Sequence, residues 1–382
     1  ALTGTDFERV AYADATTDVS TTSTTAGDNS LIILNGTVTG SQEVQAKQTL
    51  QGGGSTIQIR GRRTGLVVPF TAPGAAGRLT TPEDEDTDSL VIAGSNTHVS
   101  GISIVGIGPG SGTGDGLDLG SDKSNIYVTD VSLANISEDG VNINGGNSNI
   151  WLIDLDLSSL GDDGVDIDEG NTNLRLSNFK VSQANDYGID VGESNIGVVI
   201  VGGSVSGSGR GGVYIENGNI VDISGMSVDG ATNGILLQGD GNTVTASNVS
   251  VLNSRFGVNV EGNGNTVTAS NVSVLNSDFG VNVQGDGNGL SFTSSTFSNI
   301  GEDVVFVKGD LDLHFANNTI SGTVAGVFFN FDDVGTTTIV AGSTGNTNTT
   351  GAAPTCEQTG TASFTGEISF TDGTIVNAAT CP

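Results

Sequence analysis

Apolar and polar positions alternate along this chain in short runs, and the runs return at an almost fixed step. Gly116-Leu117-Asp118-Leu119 comes back as Gly140-Val141-Asn142-Ile143, Gly164-Val165-Asp166-Ile167 and Gly188-Ile189-Asp190-Val191. The pattern continues through Gly212, Gly234, Gly257 and Gly280, with the interval from one glycine to the next almost unchanged. A glycine turn leading into an apolar-polar-apolar strand every ~22–24 residues predicts one coil of a β-solenoid per repeat. One coil cannot bury its apolar face alone, so the coils above and below it must complete the core.

From about residue 108 onward each coil is predicted to carry three strands. In residues 242–262 these are Thr243–Ala246, Val249–Leu252 and Gly257–Val260, each with the side-chain period of two that strands impose. Asn-Ser, Gly-Asn and Asp-Gly steps between them supply the corners. The segment Gly241–Ser254 recurs unchanged as Gly264–Ser277, which marks the coil as the structural unit. No helical period is sustained anywhere, so the expected fold is all-β, a single chain of about 13 stacked coils. Beyond Gly280 the strands Val304–Val307 and Val327–Phe329 keep the spacing, and Phe306, Phe315, Phe328, Phe329 and Phe331 predict a bulkier terminal core.

The same reading divides the chain into a cap or assembly arm (1–30), a solenoid (31–345) and a C-terminal cap (346–382). Three early coils are placed at 31–49, 50–70 and 88–107, and 341–351 reads as a loop or linker. The acidic run at 83–88 reads as a solvated loop, with Arg60, Arg62 and Arg63 as its expected ionic partners.

Composition narrows the role. With 43 acidic against 12 basic residues the net charge is −31, which disfavours nucleic acid and anionic lipid as partners. No apolar run is long enough to span a bilayer. The start at Ala1 is read as a processed, exported product. Cys356 and Cys381 are the only cysteines. One disulfide in an exported protein fits them, and two buried thiols in a cytosolic chain is the alternative. As a bridge they would stabilise the C-terminal cap by roughly 3–4 kcal/mol in the chain-entropy model.

With three strands per coil at this length, residues 31–345 resemble the right-handed parallel β-helix superfamily, which includes pectate lyases, polygalacturonases and bacterial surface passengers. The segment Gln48–Ile57, followed by Phe70-Thr71-Ala72-Pro73-Gly74, resembles the opening of β-helix regions in large exported bacterial surface proteins. The resemblance implies the handedness, an extracellular or cell-surface location, and a role as an adhesin-like surface component.

Gly161-Asp162-Asp163-Gly164-Val165-Asp166 is similar to the paired-aspartate motif of polygalacturonases. That family's Asn-Thr-Asp, Gly-His-Gly and Arg-x-Lys motifs do not accompany it here. Asp163-Gly164 is also one copy of the repeat, like Asp115-Gly116 and Asp139-Gly140, where Asp favours the turn. His98 and His314 lie too many coils apart to cooperate. No catalytic set is assigned. Two acidic columns are expected on the outside, one of Asp118, Asp166 and Asp190 with Asn142 in the remaining place, the other of Asp115, Asp139 and Asp163. Coils about 4.8 Å apart would bring these carboxylates close enough to hold Ca²⁺ or to stand as a solvated face. No cofactor is required. The expected function is a non-catalytic structural or adhesive surface protein that self-associates, as a filament subunit, or presents a face to carbohydrate. A polysaccharide hydrolase or lyase of the same fold is the alternative.

Overall fold

The computed structural model describes residues 7–60, 65–81, 87–110, 112–332, 335–359 and 363–381. Two compact units divide the chain, residues 1–186 and 187–382. Each is a stack of parallel β-coils. Counted by the short glycine-led strand, one per coil, the described residues hold five coils in the first unit and eight in the second.

In the first unit the short strands Gln42–Val44, Leu90–Ile92, Leu117–Leu119, Val141–Ile143 and Val165–Ile167 pair in parallel and in register. The rest of each coil is a long strand, as in Ser124–Ile136, Ser148–Leu160 and Thr172–Ala184. These too are parallel and in register, with Ile150 beside Ile126 on one neighbour and Leu174 on the other. The long strands are bent. Asp130, Asp154 and Asn178 share a left-handed backbone (φ 56°, 58° and 54°), and Asn135, Ser159 and Gln183 repeat it at the next bend. Asn and Asp tolerate this region because their short polar side chains bond locally. Leu and Ile point inward between the bends: Ile126, Val128, Leu133, Ile150, Leu152 and Leu157 are at most 1% exposed.

The second unit repeats the plan with a coil of much the same length and breaks each long strand at the bend. Thr243–Ser247, Thr266–Ser270, Asn288–Thr293 and Leu311–Ala316 form one ladder, and Ser250–Leu252, Ser273–Leu275, Thr296–Ile300 and Thr319–Val324 a second. The repeat's glycine is a packing requirement. A Cβ on Gly257 would lie 2.5 Å from the Gly280 carbonyl oxygen and 2.6 Å from Val274 Cγ1, so no other residue fits between those two coils.

Five sequence expectations change. The Thr-rich segment contains a helix, Val19–Ala26, with Asp18 Oδ1 accepting the Thr21 N–H at 2.7 Å as its N-cap. Arg9 Nη1 donates to the Thr25 and Ala26 carbonyls at its other end. Its buried residues are Val19, Thr22, Ser23 and Ala26. They follow helical spacing, but in residues too polar for hydropathy to reveal it. The coil placed at 50–70 instead leaves the stack as an antiparallel hairpin, Thr56–Arg60 with Val67–Thr71, and returns at Gly77–Thr80 and Leu90–Ile92. Phe70 on that hairpin, with Phe7, packs on Leu31, Ile33 and Ala72. The segment 341–351 belongs to a coil: Thr347–Asn348 pairs with Thr319–Ile320, and Asn346 is 0% exposed. Phe306 is half-buried beside Phe279, outside the core that Phe315, Phe328, Phe329 and Phe331 fill. The fifth correction, the burial of one acidic column, is described below.

Cys356 and Cys381 form a disulfide that ties the last coil to the terminal hairpin Glu367–Ser369/Ile375–Asn377. The expected contact of the Arg60, Arg62 and Arg63 side chains with the acidic run lies outside the described residues, as do 82–86 of that run. No helix among the described residues is long and apolar enough to cross a membrane.

Candidate functional site

The chemistry-bearing side chains of the first unit gather in two places. One is the acidic turn ahead of the short strands. Asp115, Asp139 and Asp163 stack there as the spacing predicts, yet they are not solvated: each is 5–6% exposed. The reason is local bonding. Asp88 Oδ1 accepts the Asp115 N–H at 3.0 Å, Asp115 Oδ1 accepts the Asp139 N–H at 3.1 Å, and Asp139 Oδ1 accepts the Asp163 N–H at 2.8 Å. Each of these carboxylates thus caps the turn of the next coil. Burial, reinforced by the Asp88 charge, pushes the Asp115 carboxyl up to about 7. Asp139 goes up to about 9, from burial first and then from the Asp115 and Asp163 carboxylates on either side.

The neighbouring column is half-buried. Asp118, Asn142 and Asp166 are register partners on successive short strands. Asp118 is raised to about 6 by burial and then by Asp88, while Asn144 Nδ2 donates to its Oδ1. Asp190 stands on the first short strand of the second unit, Tyr187–Val191, as the register partner of Tyr214. Burial, then Glu216, raises the Tyr214 phenol. Asp162, Asp163 and Asp186 offer carboxylate oxygens within 4.8 Å of one another. That spacing suits a hard cation such as Ca²⁺, and solvated acidic groups also gather at it.

The second place was not legible in the repeat. On the outer side of the long strands, His98, Tyr127, Trp151 and Arg175 are successive register partners. The Tyr127 and Trp151 rings stack at 4.4 Å with 4° between their planes, and His98 meets Tyr127 edge-on at 6.3 Å. His98 Nε2 lies 3.0 Å from Thr129 Oγ1, and burial lowers its pKa to about 4, so the ring is neutral at ordinary pH. Past the first bend, Ser103, Ser132, Asp156 and Lys180 form the next outward column. Lys180 Nζ lies 3.8 Å from Asp156 Oδ1, with both side chains more than half exposed, so the pair contributes little to stability. A shallow cleft of about 390 Å³ opens on this column, lined among others by Ser103, Asp130, Ser132, Asp154 and Asp156.

The geometry of the stack decides what it can offer. Tyr127 and Trp151 cover each other's faces, so solvent meets ring edges, which carry the positive rim of the quadrupole and the polar O–H and N–H groups. Hydrogen-bond donors therefore stand on one side of the bend and carboxylate acceptors on the other. The step from Trp151 to Arg175 equals that of the glycine repeat and could have revealed part of this column. The step from His98 to Tyr127 is longer, and that enlarged early coil hides the rest.

A second ladder was also missed. Asn147, Asn171, Asn195, Asn219, Asn242, Asn265 and Asn288 recur once per coil and are 0–1% exposed. Asn219, Asn242 and Asn265 N–H groups donate to the Oδ1 of the next asparagine at 2.8–2.9 Å. The role is structural, because each amide satisfies buried backbone at a corner.

Residues 211–369 match the family model described as a right handed beta helix region. No curated protein shows detectable sequence similarity to the chain. Among solved structures, a tailspike protein mutant of E. coli bacteriophage HK620 in complex with pentasaccharide is 12% identical, with a TM-score of 0.58 over 89% of this chain and 71% of that one. The catalytic unit of a GH87 alpha-1,3-glucanase from Streptomyces thermodiastaticus strain HF3-3 is 13% identical, with a TM-score of 0.56 over 86% of this chain and 63% of that one. An alginate lyase from Paenibacillus sp. str. FPU-7 is 14% identical, with a TM-score of 0.53 over 70% of this chain and 93% of that one. At such identities the likeness is one of fold. Parallel in-register coils in both units, the matched region and these neighbours together make this chain a right-handed parallel β-helix protein.

Proposed function

We propose that this protein is an extracellular β-helix that holds a polysaccharide on the outer face of the first unit, as a surface-binding component rather than a chain-cleaving enzyme. The observation that carries the reading is the pairing of the Tyr127–Trp151 edge with the cleft of Asp130, Asp154 and Asp156 across one bend of the long strands. Sugar hydroxyls both donate and accept, and a wall of donors facing a wall of acceptors suits them; a few converging polar groups fix orientation in such sites. The three fold neighbours carry carbohydrate-related names, which makes glycan the first class of ligand to try. The disulfide is consistent with an oxidising, extracellular setting.

Affinity electrophoresis and calorimetry against neutral, amino-bearing and uronic polysaccharides test the reading. At least one polymer should bind, and Trp151→Ala and Asp154→Asn/Asp156→Asn should each weaken it about tenfold or more, the loss of one good contact. Binding that ignores both variants would sink this site.

A hydrolase is the second reading, and one observation favours it. Asp139 is kept protonated at ordinary pH, one coil before the exposed Asp162, and inverting hydrolysis needs one acid and one base. Against it, Asp139 is 6% exposed and its Oδ1 is engaged with the Asp163 N–H. New reducing ends that vanish in Asp139→Asn would favour the hydrolase over the binding protein.

A further inference from the structure

We propose that the C-terminal end of one copy of this chain docks on the N-terminal end of a second copy, strand edge to strand edge. The two ends are built alike in one respect: their cores are closed while their strand edges are not. At the N-terminal end the helix Val19–Ala26 buries Val19 completely and covers the core. The strand Arg9–Ala13 nevertheless pairs with Ser30–Leu34 alone among the described residues, and it exposes Val10 (55%) and Tyr12 (52%). At the C-terminal end the hairpin buries Ile368 and Val376. There Cys356–Gln358 and Ser363–Thr365 each have one strand neighbour among the described residues. Open edges of this kind are templates for pairing.

Charge selects the occupant. Residues 1–80 hold six of the chain's twelve cations against six acidic groups. Residues 309–382 hold seven acidic groups and no cation. In a chain of net charge −31, the one end free of net negative charge is the one that a second copy's acidic end can approach. Two C-terminal ends would repel each other. The contact is therefore between unlike ends, so each copy keeps one further end free and growth does not stop at two.

The test is sedimentation velocity on the full chain across a concentration series at 0.15 M salt, where charges more than about 8 Å apart are screened and local contacts dominate. The weight-average mass should rise past the dimer. Tyr12→Asp alone and Glu357→Lys/Glu367→Lys alone should each weaken association about tenfold or more, with unchanged circular dichroism. Mixing the two variants should restore a complex that stops at two copies, because one intact end of each kind remains. Ile220→Asp, at an exposed position away from both ends, should have no effect. A monomer at every concentration overturns the proposal. So does self-association that Tyr12→Asp abolishes and the glutamate variant leaves untouched, since that is a contact between two like N-terminal ends.

Discussion

Asp139 and Asp163 sit one coil apart, and the Asp139 carboxylate accepts the Asp163 backbone N–H at 2.8 Å. The same bond links Asp115 to Asp139, so a row of acidic groups that looks like surface charge is a buried scaffold of the turns. Its protonation therefore belongs to folding.

Asp115, Asp118 and Asp139 all have folded pKa values above the unfolded carboxyl value of about 3.9. The folded state binds these protons more tightly, so the stability they contribute is full below about pH 4. It is lost as the pH rises through about 6 for Asp118, 7 for Asp115 and 9 for Asp139. Denaturant midpoints should fall steadily from pH 5 to pH 9.5. Asp139→Asn, which keeps the acceptor oxygen and cannot ionise, should flatten the upper part of that slope. A shift of two units on one carboxyl corresponds to about 2.7 kcal/mol. A variant with the wild-type slope would mean that Asp139 is not the group titrating there.

Asn265 should be a costly residue to lose. It is 0% exposed, its Oδ1 accepts the Asn242 N–H at 2.9 Å, and its Nδ2 donates to the Gly239 carbonyl at 2.9 Å. Asn265→Ala strands two buried backbone groups, at about 1–3 kcal/mol each. Urea unfolding should report a loss of about 2–4 kcal/mol, whereas Asn248→Ala, at a more open corner, should lose far less. Equal losses at the two positions would contradict the structural role given to the buried ladder.

Divalent cations should not be required for folding. Backbone N–H groups already satisfy the buried aspartates, so a chelator at low ionic strength should leave the melting temperature within about 1 °C, while added monovalent salt should raise it by screening a net charge of −31. A drop of several degrees in chelator, reversed by Ca²⁺ alone, would instead make Asp162, Asp163 and Asp186 an ion site.

The repeat made the coil, its register and its glycine legible, because those depend on contacts between identical positions one step apart. What it could not show depends on contacts with no period. The helix Val19–Ala26 is held by Gln42 and Gln48, whose amides bond to Val19 and Ser23 from distant points in the sequence. The hairpin Thr56–Thr71 is an excursion stabilised by Phe70 on Leu31 and Ile33. Reading Asp115, Asp139 and Asp163 as outward was correct in spacing and wrong in exposure, since a residue in a stack is covered by its copies above and below as well as by the core. The Tyr127–Trp151 stack was hidden for the opposite reason: it follows the coil faithfully, but only where the coil places aromatic residues, and no repeat unit announces them.

Interior coils should be interchangeable, and the copied segment allows a clean trial. Thr243–Ser247 stacks on Ile220–Ser224 before it and on Thr266–Ser270 after it, and the second neighbour has its own sequence. Removing residues 241–263 joins Asp240 to Gly264, so Ile220–Ser224 would meet the same Thr-Val-Thr-Ala-Ser it meets now. The Asn219 N–H would find Asn265 Oδ1 where Asn242 Oδ1 stood, and Gly234 would face Gly280 in place of Gly257. The chief loss is the Arg255 guanidinium over the Phe256 ring at 4.7 Å, a contact worth about 0.5–1 kcal/mol at an exposed site. The shortened protein should fold cooperatively, with a melting temperature within a few degrees of the parent. Removing only positions 241–252 should not be tolerated, because half a coil brings apolar positions to the solvent side and leaves the asparagine ladder without its next rung. If both deletions fold equally well, the stacking register is not what holds this protein together.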